Sequence, residues 1–212
     1  GISVAAINYR YTTQAPLPGP VYDAARAVQF LRYHARKWNL DPQRVAALGN
    51  SAGGCSALWL AFHDDLAQSN DPDPIAREST RLCAAVGFIA QTSLEPSVIA
   101  SWIGPKVFES PMIYRAVGAR KGDDVAQPSP DIAERLRAFS PINYVDASDP
   151  PVLVIYAAPP PLPAQSAATA IHHAVFGLKL KGKADAVGAQ VTLCIDGEPL
   201  GDEPARMQPM YQ

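Results

Sequence analysis

Val45-Ala46-Ala47-Leu48-Gly49-Asn50-Ser51-Ala52-Gly53-Gly54-Cys55-Ser56-Ala57-Leu58-Trp59-Leu60-Ala61-Phe62 decides the fold. Val45 to Leu48 is a short apolar run that reads as a buried strand. Cys55 to Phe62 lacks Pro and reads as a buried helix. Between them lies G-x-S-x-G, the pattern of a strand that turns sharply into a helix with a serine at the apex. Such a turn strains the backbone at the serine, and side chains at Gly49 and Gly53 are expected to collide across it. Ser51 is thereby presented at the carboxyl end of the sheet, where ligands of open α/β sheets collect. The amide of Ala52 begins the helix and faces any oxyanion formed by attack of Ser51 Oγ. Ser51 is thus the candidate nucleophile and Ala52 the candidate oxyanion donor, with Gly49, Asn50, Gly53 and Gly54 shaping the elbow.

The flanking sequence repeats the same alternation. Upstream, Ile2 to Tyr9 is apolar on both faces and reads as a central parallel strand. From Pro20, a residue suited to a first helical position, Val21, Ala24, Ala25, Val28, Leu31, Ala35 and Trp38 recur at helical spacing. Downstream, Leu82 to Ala90 is a further strand, Val152 to Ala157 another, His172 to Val187 a helix and Gln190 to Ile195 a last strand. Residues 91–149 break the rhythm and read as an insertion over the site, with short helices near Pro111 to Val117 and Pro130 to Phe139. Alternating strands and helices predict an α/β domain over residues 1–212. Its sheet is expected to be mostly parallel with helices on both faces, and to lack N-terminal strands. An apolar run that opens at the first residue, a Gly, suggests a chain that begins upstream.

Composition narrows the function. The chain has 212 residues with 18 Lys plus Arg against 20 Asp plus Glu, a net charge of -2. No basic block exists to track phosphates, so nucleic acid is not an expected partner. Its longest apolar runs, such as Val152 to Ala158, fall far short of the roughly 20 residues of a membrane span. A soluble protein, cytoplasmic or exported, is expected; oligomeric state is not encoded in any recognisable pattern. Cys55, Cys83 and Cys194 form no metal or disulfide pattern and read as small core residues. The 21 prolines cluster in loops such as Pro16 to Pro20 and Pro159 to Pro163. No nucleotide loop or HExxH is present, and no cofactor or metal is expected.

The elbow and three further stretches, Ile7-Asn8-Tyr9-Arg10-Tyr11, Asp23-Ala24-Ala25-Arg26-Ala27-Val28 and Trp38-Asn39-Leu40-Asp41-Pro42-Gln43-Arg44-Val45, resemble the α/β-hydrolase serine esterases. The nearest likeness is to the hormone-sensitive-lipase-like and feruloyl/acetylxylan-esterase-like (BD-FAE-like) groups. Ser140-Pro141 and Asp149-Pro150-Pro151-Val152-Leu153-Val154 resemble the entry to their penultimate core strand. The resemblance implies a carboxylester hydrolase acting through an acyl-enzyme on Ser51. Substrates would be short acyl esters or acylated polysaccharide fragments. Where this chain has Asn50, members of these groups usually have Asp.

The resemblance also implies an acid just after the strand ending near Tyr156 and a histidine after the last strand. Ala157 to Pro163 holds no carboxylate, and no histidine follows Ile195. Of the four histidines, His34 and His63 fall at the periphery, while His172 and His173 follow the loop where an acid is expected. Either is a candidate displaced base. Asp146, Asp149 and Asp185 are candidate relocated acids. The His-Gly-Gly loop that supplies further oxyanion donors in these groups is absent, so the chain is expected to be nearly inactive. The alternative is a scaffold that has lost acid and base and serves as a binding module. Trp102, Phe108 and Tyr114 of the insertion either line an acyl or sugar pocket or pack beneath a lid, the latter being favoured.

Overall fold

The computed structural model describes residues 1–199; the polar tail beyond them lies outside the described residues. Helix α1 (Gly19–Tyr33) buries Val21, Ala24, Ala25 and Val28 along the expected stripe. The stripe ends sooner than its spacing predicts. His34 leaves helical geometry, α2 (Ala35–Trp38) is a single turn, and Trp38 is exposed. Strand β1 (Ala46–Asn50) and helix α3 (Ala52–Phe62) follow, then β2 (Ala84–Phe88). The insertion contains α4 (Pro96–Ile103), a 3-10 turn at Pro105–Glu109, α5 (Pro111–Ala116), α6 (Asp123–Ala126) and α7 (Pro130–Ala138). Strand β3 (Val152–Tyr156), α8 (Ala167–Ile171), α9 (Val175–Val187), β4 (Val191–Ile195) and β5 (Glu198–Pro199) complete the described chain.

The strands lie in the order β1-β2-β3-β4-β5; the first four are parallel and β5 is antiparallel. Each parallel connection carries at least one helix, the α/β architecture that the alternation predicts. Ala85, Val152 and Val191 share one register row, and Gly87, Val154 and Leu193 share another on the same face. Both rows are buried beneath α3 and α9. Leu58, Trp59 and Phe62 of α3 are almost wholly enclosed, each contributing about 1.5–3 kcal/mol of apolar burial. Gly87 lets α3 approach, since a side chain there would meet Leu58 at 3.3 Å. The second face carries Leu48, Phe88 and Thr192 and is open to solvent, Leu48 being 72% exposed. The helices expected over that face are not among the described residues.

Two strand expectations change. Residues 2–9 are not a central strand: they join no ladder, and Ile2 and Val4 are 94% and 85% exposed. Apolar content alone does not make a strand; a neighbour must take up its backbone bonds. Segment 1–12 is instead tied down by Arg10, whose guanidinium pairs with both carboxylate oxygens of Asp23 on α1, at 2.7 and 2.8 Å. Strand β1 is expected to be buried, yet alternate residues are exposed, because α3 packs on one of its faces and Leu48 on the other stays open among the described residues. Cys55 is buried as expected, whereas Cys83 is exposed and Cys194 half-buried. No helix among the described residues is long and apolar enough to cross a membrane.

Candidate active site

The elbow forms where the sequence places it. Ser51 has φ 51° and ψ −115°, a backbone conformation costly for any residue with a Cβ, and it separates the last residue of β1 from the first of α3. Two bonds hold it there: Ser51 N–H donates to Phe88 O on β2, and Ser51 O accepts the first helical bond from Cys55 N–H. A Cβ at Gly49 would lie 2.2 Å from the carbonyl carbon of Gly53, so only glycine fits. The expected collision at Gly53 does not occur, since a Cβ there meets nothing within 4 Å. The second tight position is Gly54, where a Cβ would press on Ala90 at 2.9 Å. The close approach is therefore between helix and β2, one residue beyond the motif. Asn50 ends β1 beside Phe88 and is exposed.

His172 lies opposite the serine, with Nε2 2.8 Å from Ser51 Oγ. The expected helix over residues 172–187 starts instead at Val175, and both histidines fall in the break between α8 and α9. That break frees the imidazole to face the elbow. Burial lowers the His172 pKa from its ordinary 6.5, keeping the ring neutral. The opposing influence is the backbone carbonyl of Ala168, a hydrogen-bond acceptor and not a carboxylate. A neutral ring whose Nε2 accepts from the serine is the tautomer a general base needs.

His173 cannot share that role. Its Nδ1 accepts from Val175 N–H at 3.2 Å and its Nε2 faces Pro160 O at 3.0 Å, so both nitrogens are engaged away from Ser51. His34 sits among Phe30, Tyr33 and Trp38, and His63 stacks on Trp59 with ring centres 4.0 Å apart. Neither approaches the site.

The candidate acids are elsewhere. Asp149 precedes β3, at the end of the sheet opposite the elbow, where its Oδ2 accepts from Asp146 N–H. Its Oδ1 is buried without a partner among the described residues, and burial pushes the carboxyl up to about 6. Asp146 accepts from the amide and hydroxyl of Ser148. Asp185 pairs with Lys181 on the outer face of α9. Where the resemblance implies an acid, Ala158 N–H donates to Asp196 Oδ1 at 2.7 Å. No group of three or more His, Cys, Asp or Glu among the described residues is placed to hold a metal.

Beside Ser51 opens a largely apolar cavity of about 180 Å³. Tyr9 to Thr12, Leu17 and Val21 line one side; Ala52 and Cys55 the floor; Leu94, Met112, Ile113 and Ala116 of the insertion the other side. The insertion is thus a wall of the site. Trp102, Phe108 and Tyr114 take no part in that lining and pack against the core, the arrangement favoured from sequence. Gln91, which nothing in its sequence context singles out beyond its place just after an apolar strand, borders the cavity and donates to Ile171 O at 2.6 Å.

A parallel sheet, a strained serine at its carboxyl edge and a histidine facing it define an α/β-hydrolase domain. Its sequence agrees: the BD-FAE family model matches residues 1–168, so the chain belongs to the BD-FAE family. Among curated relatives it is 28% identical over 161 residues to a probable carboxylic ester hydrolase, LipM, of Mycobacterium tuberculosis, covering 71% of this chain and 32% of that protein. It is 27% identical over 165 residues to a probable isoprenylcysteine alpha-carbonyl methylesterase of Arabidopsis thaliana, covering 73% and 31%. The chain thus spans about a third of the length of these relatives. Among solved structures it resembles an acetyl ester-xyloside bifunctional hydrolase from Caldicellulosiruptor lactoaceticus, with TM-score 0.65 and 26% identity over 92% of this chain and 60% of that one. A truncated carbohydrate esterase from gut microbiota shares the fold, with TM-score 0.69 and 20% identity over 90% and 64%.

Proposed function

We propose that the chain hydrolyses carboxylic esters through an acyl-enzyme on Ser51, with His172 as the base. The observation that carries the reading is the 2.8 Å approach of His172 Nε2 to Ser51 Oγ. Attack of Oγ on the ester carbonyl carbon passes the serine proton to Nε2, and the oxyanion meets the Ala52 N–H at the start of α3. Collapse of the tetrahedral intermediate breaks the ester C–O bond, and the imidazolium returns its proton to the departing alcohol. Water then attacks the acyl-Ser51 carbonyl and gives a proton to His172; the acyl C–Oγ bond breaks, the imidazolium returns that proton to Ser51 Oγ, and the acid is released. Membership of the BD-FAE family, and likeness to proteins named as ester hydrolases and carbohydrate esterases, favour the same chemistry.

The cavity supports an acyl group of a few carbons. At about 180 Å³ it compares with the ~150 Å³ that encloses one benzene ring. Its apolar wall suits the acyl side, leaving the alcohol, a small alcohol or a sugar hydroxyl, toward solvent. The insertion acts as a lid by supplying that wall. Turnover is expected to be slow, because Ala52, at the start of α3, is the one oxyanion donor assigned among the described residues and each missing donor costs about 10²–10³ in kcat.

Slow turnover makes covalent trapping the decisive experiment. The chain is treated with a fluorophosphonate and, separately, with p-nitrophenyl acetate, and the adduct on Ser51 is read by mass spectrometry. A Ser51 adduct that disappears in Ser51→Ala supports the reading, whereas hydrolysis surviving that substitution overturns it. Absence of any adduct on the folded chain favours the binding scaffold, for which the supporting observation is that no carboxylate among the described residues bonds His172.

A further inference from the structure

A catalytic histidine is useful only when its ring is held in one orientation, and a carboxylate commonly does this. No carboxylate among the described residues bonds the His172 ring, so its orientation depends on the backbone that carries it. His172 lies at a break, with φ −123° and ψ 13°, after a helix of only five residues that is too short to be rigid alone.

The exit of β2 supplies what this break lacks. Ile89 has φ 41°, which turns the chain sharply at the end of the strand. The next polar residues reach across: Gln91 Nε2 donates to Ile171 O at 2.6 Å, and Thr92 Oγ1 donates to Phe176 O at 2.9 Å. These two acceptors bracket His172 and His173. Gln91 is 6% exposed and Thr92 is fully buried, so both bonds lie where water competes weakly. Gln91 also borders the cavity that holds Ser51. Its bond attaches to the residue immediately before the base, whereas that of Thr92 lies four residues after it.

Resting on the assignment of Ser51 and His172 as nucleophile and base, we propose that Gln91 is the positioning residue for His172. Its amide grips the Ile171 carbonyl and thereby aims the imidazole at Ser51. With that amide engaged by the Ile171 carbonyl, the residue acts through the histidine.

The test compares the parent chain with Gln91→Met, which keeps the length of the side chain and removes the donor. The His172 ring protons are titrated by NMR, with His172→Ala used to assign them. In the parent, burial is expected to hold the His172 midpoint below its ordinary 6.5; in Gln91→Met the midpoint is expected to move up toward 6.5 as the ring swings out. In parallel, kcat on p-nitrophenyl acetate is expected to fall roughly 10- to 100-fold with KM within twofold. In the His172→Ala background the same substitution is expected to cost nothing further. A His172 midpoint that stays at the parent value in Gln91→Met overturns the inference, as does a full additional loss in the His172→Ala background. If Gln91→Met does not fold, Gln91→Asn, which withdraws the amide by one methylene, is read in the same way. A parent chain without Ser51-dependent hydrolysis sinks the functional reading alone, and the NMR midpoints still decide the positioning role.

Discussion

The two halves of the candidate site are held in different ways. Ser51 is fixed mainly by its immediate neighbours in the chain, β1 before it, α3 after it and a glycine at 49 that lets the two approach, with one long-range bond to Phe88 O. His172 depends more on distant ones, the β2 exit through Gln91 and the Pro160 loop through His173. A group placed by local covalent geometry tolerates change far away and fails when its own turn is altered. A group placed by long-range contacts behaves in the opposite way.

The largest expected effect tests whether the two halves act as one unit. Ser51→Ala and His172→Ala should each lower kcat by about 10⁴-fold or more, and the double variant should be little worse than either. Losses that multiply would show that the groups act independently. Next in size is the elbow itself. Gly49→Ala drives a Cβ to 2.2 Å from backbone and should cost more than about 3 kcal/mol in denaturant unfolding, enough to deplete the soluble protein. A folded, labelled Gly49→Ala protein would contradict the local account of Ser51.

Asp149 lies remote from both halves and provides a control. Burial raises its carboxyl from 3.8 to about 6, so the native state holds that proton more tightly than the unfolded chain. The associated stability is full below about pH 4 and is lost as pH rises through 6. Relative to the parent, Asp149→Asn should therefore gain roughly 1–3 kcal/mol between pH 4 and pH 7.5, with labelling of Ser51 unchanged. Melting curves at the two pH values check this, and a constant difference would refute it. A smaller effect concerns the acid limb of kcat/KM. Because burial lowers the His172 pKa, the limb should fall below 6.5, and a midpoint at 7 or above would exclude His172 as the base. Smallest of all, Gly53→Ala should change stability by less than about 1 kcal/mol, since its Cβ meets open space.

The same division explains what was legible in the sequence. The elbow, the burial of α3 and the alternation of β2, β3 and β4 with helices depend on neighbouring residues, and periodicity reports them. Residues 2–9 were misread because strand formation depends on a pairing neighbour that an apolar pattern does not specify. His172 and His173 were equivalent in sequence; they are distinguished by a helix that starts at Val175 and by bonds to Pro160 and Val175 that no spacing reveals. Gly54 rather than Gly53 is the second crowded position for a related reason, since the crowding comes from Ala90, beyond the end of β2.

Ser51 and His172 lie 121 residues apart in the chain. Their encounter closes a loop that includes β2, the whole insertion and β3, and the entropy of that closure is recovered only when the sheet has assembled. On the proposed mechanism, the reactivity of Ser51 toward a fluorophosphonate is therefore expected to report completed folding. A collapsed chain with intact helices and an intact elbow would still present the serine without its base. Labelling rate followed through a denaturant titration would separate that state from the native one where circular dichroism sees little difference.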